Sequence, residues 1–149
     1  MTADAQRVMA AYWPRIDTVL MGRKTWEQAA AQGGGGGGYP GVSSYVFSRT
    51  LKKDPAPGVV LVQSDAGGFV RSLKKKKGKG ICVMGGGDLA RSLFEAGVID
   101  EVGINVHPGL LGSGIPLFLD TGRQVNLKLT ECRPMQKGCG QSDLPYDHY

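Results

Sequence analysis

Ile81-Cys82-Val83-Met84-Gly85-Gly86-Gly87-Asp88-Leu89-Ala90 is the stretch from which the architecture is read. Four apolar residues in a row, with no polar alternation, describe a strand covered on both faces, as in the middle of a parallel sheet. The run stops at three glycines. Asp88 then has the chemistry of an N-cap, and Leu89, Ala90, Leu93 and Phe94 recur at helical spacing. Gly97 suits the left-handed position just past a helix end. The segment reads as a strand, a glycine turn and a helix.

The same unit recurs upstream. Residues 18–21 form a short apolar strand, Gly22-Arg23-Lys24-Thr25 turns the chain, and a helix runs through Ala31, with Thr25 and Gln28 matching a capping box. Residues 3–12 carry Val8, Met9, Ala11 and Tyr12 on one helical face, and Pro14 stops that helix. Between the two glycine turns lie short strands at 44–47 and 59–62 and a helix at 67–75 that directs Phe69, Val70 and Leu73 inward. Six consecutive glycines, Gly33 to Gly38, followed by Tyr39-Pro40-Gly41, read as a flexible surface loop, because ordering them costs much backbone entropy.

Beyond Gly97 the hydrophobic period changes to two. Val102, Ile104 and Val106 alternate with polar residues or glycine, as Val125, Leu127 and Leu129 do later. Repeated strand-helix units followed by strands predict a three-layer α/β/α fold, with a mainly parallel central sheet and late antiparallel edge strands.

At 149 residues, 41% hydrophobic and 21% charged, the chain suits one packed domain over residues 1–149. Much of its net charge of +5 sits in Lys74 to Lys77 and Lys79. At a helix end, without interleaved aromatics, such a run complements the helix dipole and solvates a connection rather than reading nucleic acid. No apolar stretch approaches the roughly 20 residues that span a bilayer, and the amino end lacks a signal core, so a cytoplasmic protein is expected. Cys82, Cys132 and Cys139 have neither the number for a disulfide framework nor the spacing for zinc, and His107 and His148 add no metal site.

The two glycine turns carry the chemistry. A turn between strand and helix exposes unpaired amides and the positive end of a helix to phosphate oxygens. In an open parallel sheet such turns lie together at the carboxyl ends of the strands. Gly85-x-Gly87-x-x-Ala90 matches a relaxed dinucleotide fingerprint, but the ribose-binding acid expected about 20 residues on is replaced by residues 105–109, which disfavours a standard NAD-type domain. Close strand-helix packing is the competing reason for three glycines.

Val19-Leu20-Met21-Gly22-Arg23-Lys24-Thr25-Trp26-Glu27 resembles the strand-turn-helix signature of dihydrofolate reductases, and residues 81–87 resemble their second glycine turn. Gly97-Val98-Ile99-Asp100-Glu101-Val102 with Pro108-Gly109-Leu110-Leu111-Gly112-Ser113-Gly114-Ile115-Pro116-Leu117-Phe118 resembles the riboflavin-biosynthesis reductase (RibD C-terminal) domains. The similarity covers about residues 19–133. It implies a dihydrofolate-reductase-like fold and an NADPH site at Gly22, Arg23, Lys24 and Thr25, at Ser48, Arg49 and Thr50, and at Gly85, Gly86, Gly87, Asp88 and Leu89. Arg49 would favour the 2′-phosphate of NADPH over NADH. Leu89 reads first as core and only secondarily as a cofactor contact. In dihydrofolate reductases the pair matching Gly85-Gly86 is joined by a cis peptide.

The chain departs from the family at both ends. It opens in what resembles the family's first helix, without the preceding central strand and loop, and residues 141–149 lack the alternating pattern of the last strand. An absent central strand would leave a gap to be filled, by further chain, by a partner or by rearrangement. The resemblance implies an NADPH-dependent reductase that passes hydride to a small heterocyclic or sugar-derived substrate; a non-catalytic nucleotide-binding or structural relative is the alternative. It also implies a homodimer, with residues 101–107 and 125–130 as interface. Asp100 and Glu101 read as solvated strand-start residues, so no acid or base is nominated.

Overall fold

The computed structural model describes residues 3–32, 40–107, 109–120, 122, 124–134 and 140–145; the glycine run at 33–38, Cys139 and His148 lie outside them. In chain order the elements are α1 (Ala3–Tyr12), a 3-10 turn (Trp13–Arg15), β1 (Ile16–Gly22), α2 (Arg23–Ala31), β2 (Ser43–Phe47) and β3 (Val59–Val62). They continue with α3 (Ala66–Lys74), β4 (Gly80–Val83), α4 (Gly87–Glu95), β5 (Glu101–Val106), β6 (Glu131–Pro134) and β7 (Gly140–Pro145).

The first four strands make one parallel sheet in the order β3-β2-β1-β4. Strand β1 is central, and its burial explains its composition: Val19 and Leu20 are fully buried and Met21 nearly so. Leu20, Tyr45, Phe47, Ile81 and Val83 point to the face covered by α3 and α4, where Val70, Leu73, Leu89, Leu93 and Val98 complete the core. Val19, Met21 and Val46 fill the opposite face, where α2 packs on β1 and β2. The fold class expected from the alternating strand and helix signals is therefore the one observed.

Helix α4 ends as Gly97 predicts. Its φ is +63°, and the Gly97 and Val98 amides donate to the Phe94 and Leu93 carbonyls at 3.0 and 3.2 Å, the paired bonds of a Schellman motif. The helix starts differ from expectation. Gly22 and Gly86 occupy the N-cap positions of α2 and α4, with no side-chain cap bond, so Thr25 and Asp88 lie inside the first turns instead. Neither the Thr25 capping box nor the Asp88 cap forms, because close approach of the two glycine turns sets where each helix begins.

The late strands, expected as antiparallel edges of the central sheet, instead form a separate antiparallel sheet in the order β5-β7-β6. Residues 125–130 are not a strand despite their alternation: β7 pairs with β5 on one side and β6 on the other, and Leu127 and Leu129 stay exposed. Conversely, residues 140–145, polar in pattern, are the middle strand of this sheet, held by a ladder on each edge. The expected weakness of the carboxyl-terminal strand is thus corrected for these residues; 146–149 lie outside the description.

Between the sheets runs a cleft of about 1440 Å³, lined by all of β4 and by five successive residues of β5 from Glu101 to Asn105. Successive residues of a strand line a cavity when its edge, not one face, is turned to it. Among the described residues no helix is long and apolar enough to cross a membrane.

Asp17 closes the amino end of the parallel sheet. Its carboxylate accepts from the Lys79 amide at 2.5 Å and the Thr18 hydroxyl at 2.9 Å, beside a register shift between β1 and β4. Those bonds, the Lys79 amide first, hold its carboxyl below the usual range. A lowered carboxylate favours the folded state above the unfolded value of about 4, and that contribution disappears as pH falls through the folded value. Asp17→Asn is therefore expected to lower the melting temperature at pH 7, with the difference from wild type shrinking below about pH 4; thermal melts across that range check it.

Candidate functional site

The site is assembled by adjacency in the sheet. Phe47 of β2 is in register with Gly22 of β1, so Ser48-Arg49-Thr50 emerges beside the β1–α2 turn. On the other side β4 runs parallel to β1, and its exit, Met84 to Gly87, continues the ladder: the Met84 amide donates to Leu20 at 2.9 Å and the Gly22 amide to Gly85 at 3.2 Å. Three consecutive strands thus deliver all three sequence-derived motifs to one carboxyl edge.

The two glycine turns touch through their backbones. A Cβ on Gly86 would lie 3.4 Å from the Gly22 Cα and 3.5 Å from the Gly22 amide nitrogen, and Thr25 Oγ1 would be 3.6 Å away. Gly85 and Gly86 have φ of +118° and +101°, which side-chain-bearing residues rarely adopt. The peptide joining them is trans, unlike the cis bond of the dihydrofolate reductase pair it resembles. Glycine is required here by conformation; a Cβ at either position would make only ordinary contacts with the first turn.

Each turn opens a helix whose first amides receive no side-chain cap. Helix α3 shows the contrast: Asp65 caps it, accepting from the Gly68 amide at 2.6 Å. An uncapped helix start retains donors and partial positive charge for an anion. Around these donors stand half-buried Arg23 and Thr25 and exposed Lys24 and Arg49. Ser48 holds the third turn together, since its Oγ accepts from the Thr50 and Leu51 amides at 3.2 and 3.1 Å.

Other predicted members are placed differently. Leu89 is 6% exposed and belongs to the core. Asp88 is exposed, in the first turn of α4, and lies 3.7 Å from Arg91; only its backbone amide suits an anion. Asp100 pairs with Lys74 at 2.5 Å, consistent with a surface role. Sequence reading missed two features. Leu119 packs over Gly87, where a Cβ would lie 3.1 Å from its Cγ, and Phe118 stacks edge-on against Phe94, bringing the apolar carboxyl-terminal segment to the second turn. Glu27 bonds Arg23, a contact legible from the i,i+4 spacing.

Comparison with known proteins bears on the family and the fold. The model of the RibD C-terminal domain family matches residues 1–139. Two Bacillus subtilis (strain 168) proteins of uncharacterized function are similar: YyaP, 31% identical over 85% of this chain and 72% of its own length, and YwjB, 32% identical over 79% and 67%. Among solved structures, a Shewanella sp. PV-4 protein assigned to riboflavin biosynthesis superposes with a TM-score of 0.79 at 23% identity, over 93% of this chain and 78% of its own. A pyrimidine reductase-like protein from Corynebacterium diphtheriae gives 0.68 at 14% identity, over 100% and 83%. At these identities the superpositions speak to the fold alone.

Gly86→Ala should destabilise the protein by roughly 1–3 kcal/mol, because it imposes a positive φ on alanine. Denaturant unfolding measures this, and the equivalent change at Gly109, where a Cβ would meet nothing within 4 Å, should cost much less.

Proposed function

The chain belongs to the RibD C-terminal domain family, and we propose that it is an NADPH-dependent reductase acting on a small heterocyclic or sugar-derived substrate. The observation that carries this reading is the contact between two uncapped glycine turns at the carboxyl edge of one parallel sheet, with Arg23, Lys24 and Arg49 beside them. A pyrophosphate fits such a cradle: it needs amides aimed at one point, backbone that side chains do not block, and cations at the rim.

In this reading the amides of the first turns of α2 and α4, with Arg23, Lys24 and Thr25, take the phosphates. Ser48, Arg49 and Thr50 meet the adenosine side, where the planar fork of Arg49 suits the 2′-phosphate. Bound NADPH would supply the hydride; the protein's part is to hold and orient it. The cleft beside Gly85 to Gly87 is where a substrate would approach.

Calorimetric titration with NADPH and NADH tests the reading. NADPH is expected to bind more tightly, and Arg49→Ala should weaken NADPH by about tenfold or more while changing NADH little, the behaviour of a lost charge-assisted bond. Failure to bind either nucleotide sinks the proposal. Binding without oxidation of NADPH by any pterin or pyrimidine substrate supports the non-catalytic alternative.

We also propose a homodimer. Exposed Val106, Leu127 and Leu129 lie on the segments expected at the interface, and Leu110, Leu111, Ile115 and Leu117 extend the apolar surface. Sedimentation equilibrium is expected to give twice the chain mass, and a monomer at all concentrations would exclude it.

A further inference from the structure

Arg23 is the first residue of α2, at the point where the turn amides open. Its guanidinium is held by a carboxylate: Nη1 donates to Glu27 Oε1 at 2.7 Å, one turn further along the helix. The bond therefore draws the cation away from the helix start, toward a carboxylate that offers it the same two-oxygen partner a phosphate would. Both side chains remain partly open to solvent, 35% for Arg23 and 44% for Glu27, so the pair is exchangeable rather than a buried, fixed one.

We propose that Glu27 restrains Arg23 as a competing internal anion, so that a phosphate docking at the β1–α2 turn takes the guanidinium from Glu27. The inference rests on reading that turn as a phosphate site and adds to it a residue that sets affinity without touching the ligand. Glu27 is a restraining residue for the site: it lowers affinity for any phosphate-bearing ligand and makes that affinity depend on how firmly it holds Arg23. Exposed pairs of this kind are weak, so the effect is about two- to fivefold.

A double-mutant cycle tests this in the full chain. Wild type, Glu27→Gln, Arg23→Ala and the double variant are titrated with NADPH and, separately, inorganic pyrophosphate, with circular dichroism to verify folding. Glu27→Gln is expected to tighten binding about two- to fivefold in the wild-type background and to have no effect once Arg23 is alanine. Weakened binding in Glu27→Gln would mean that the carboxylate presents Arg23 to the ligand, and overturns the proposal. Equal tightening in both backgrounds would mean a general field effect of one negative charge, and also overturns it. If NADPH fails to bind but pyrophosphate binds, the cofactor reading falls while the cycle is still read from pyrophosphate. Absence of pyrophosphate binding in all four proteins overturns the inference itself.

Discussion

The contact between the β1–α2 turn and the β4–α4 turn is the constraint on which the rest depends. The Gly22 amide reaches the Gly85 carbonyl, and the two backbones lie in van der Waals contact, with a Cβ built on Gly86 only 3.4 Å from the Gly22 Cα. This approach extends the β1–β4 ladder beyond the regular strands. It sets the starts of both helices side by side. The hydrophobic core under it, centred on Leu20, Leu89 and Leu93, supplies the rigid floor that keeps the two turns in register.

That constraint also explains a division of labour among the helix starts. Where a helix start only needs its amides satisfied, a side chain does it, as Asp65 does for α3. At α2 and α4 it places glycine at the N-cap and leaves the amides to other partners. Positive side chains gather on the rim of the same edge while the opposite end of the sheet is sealed by Asp17, whose carboxylate is consumed by the Lys79 amide and the Thr18 hydroxyl. The sheet thus has one end given to internal bonding and one end whose two glycine-started helices carry no side-chain cap.

How much of this was legible depended on whether a feature was local. The apolar run at Ile81 to Met84 and the left-handed Gly97 were readable because strand burial and a helix C-terminus each leave a short-range pattern. The caps were not: Thr25 and Asp88 have the right chemistry, but a tertiary contact moved both helix starts upstream. Residues 125–130 alternate well and, among the described residues, have a single bridge position at Leu127 and no strand, whereas 140–145 alternate poorly and are paired on both edges, so partner availability outweighed pattern. At the candidate site the three motifs were legible in order. Their convergence was not, because it is a property of strand order in the sheet.

The cleft between β4 and β5 bears on how the molecule behaves in a crowd. An open strand edge is a template for any extended chain, and proteins commonly blunt such edges with lysine. Lys76, Lys77 and Lys79 line this cleft at the entry to β4. Like charges flanking a strand in general oppose edge-to-edge stacking of molecules. A run that looks like mere solvation of a connection thus also sets positive charge beside β4, the last strand of the parallel sheet among the described residues.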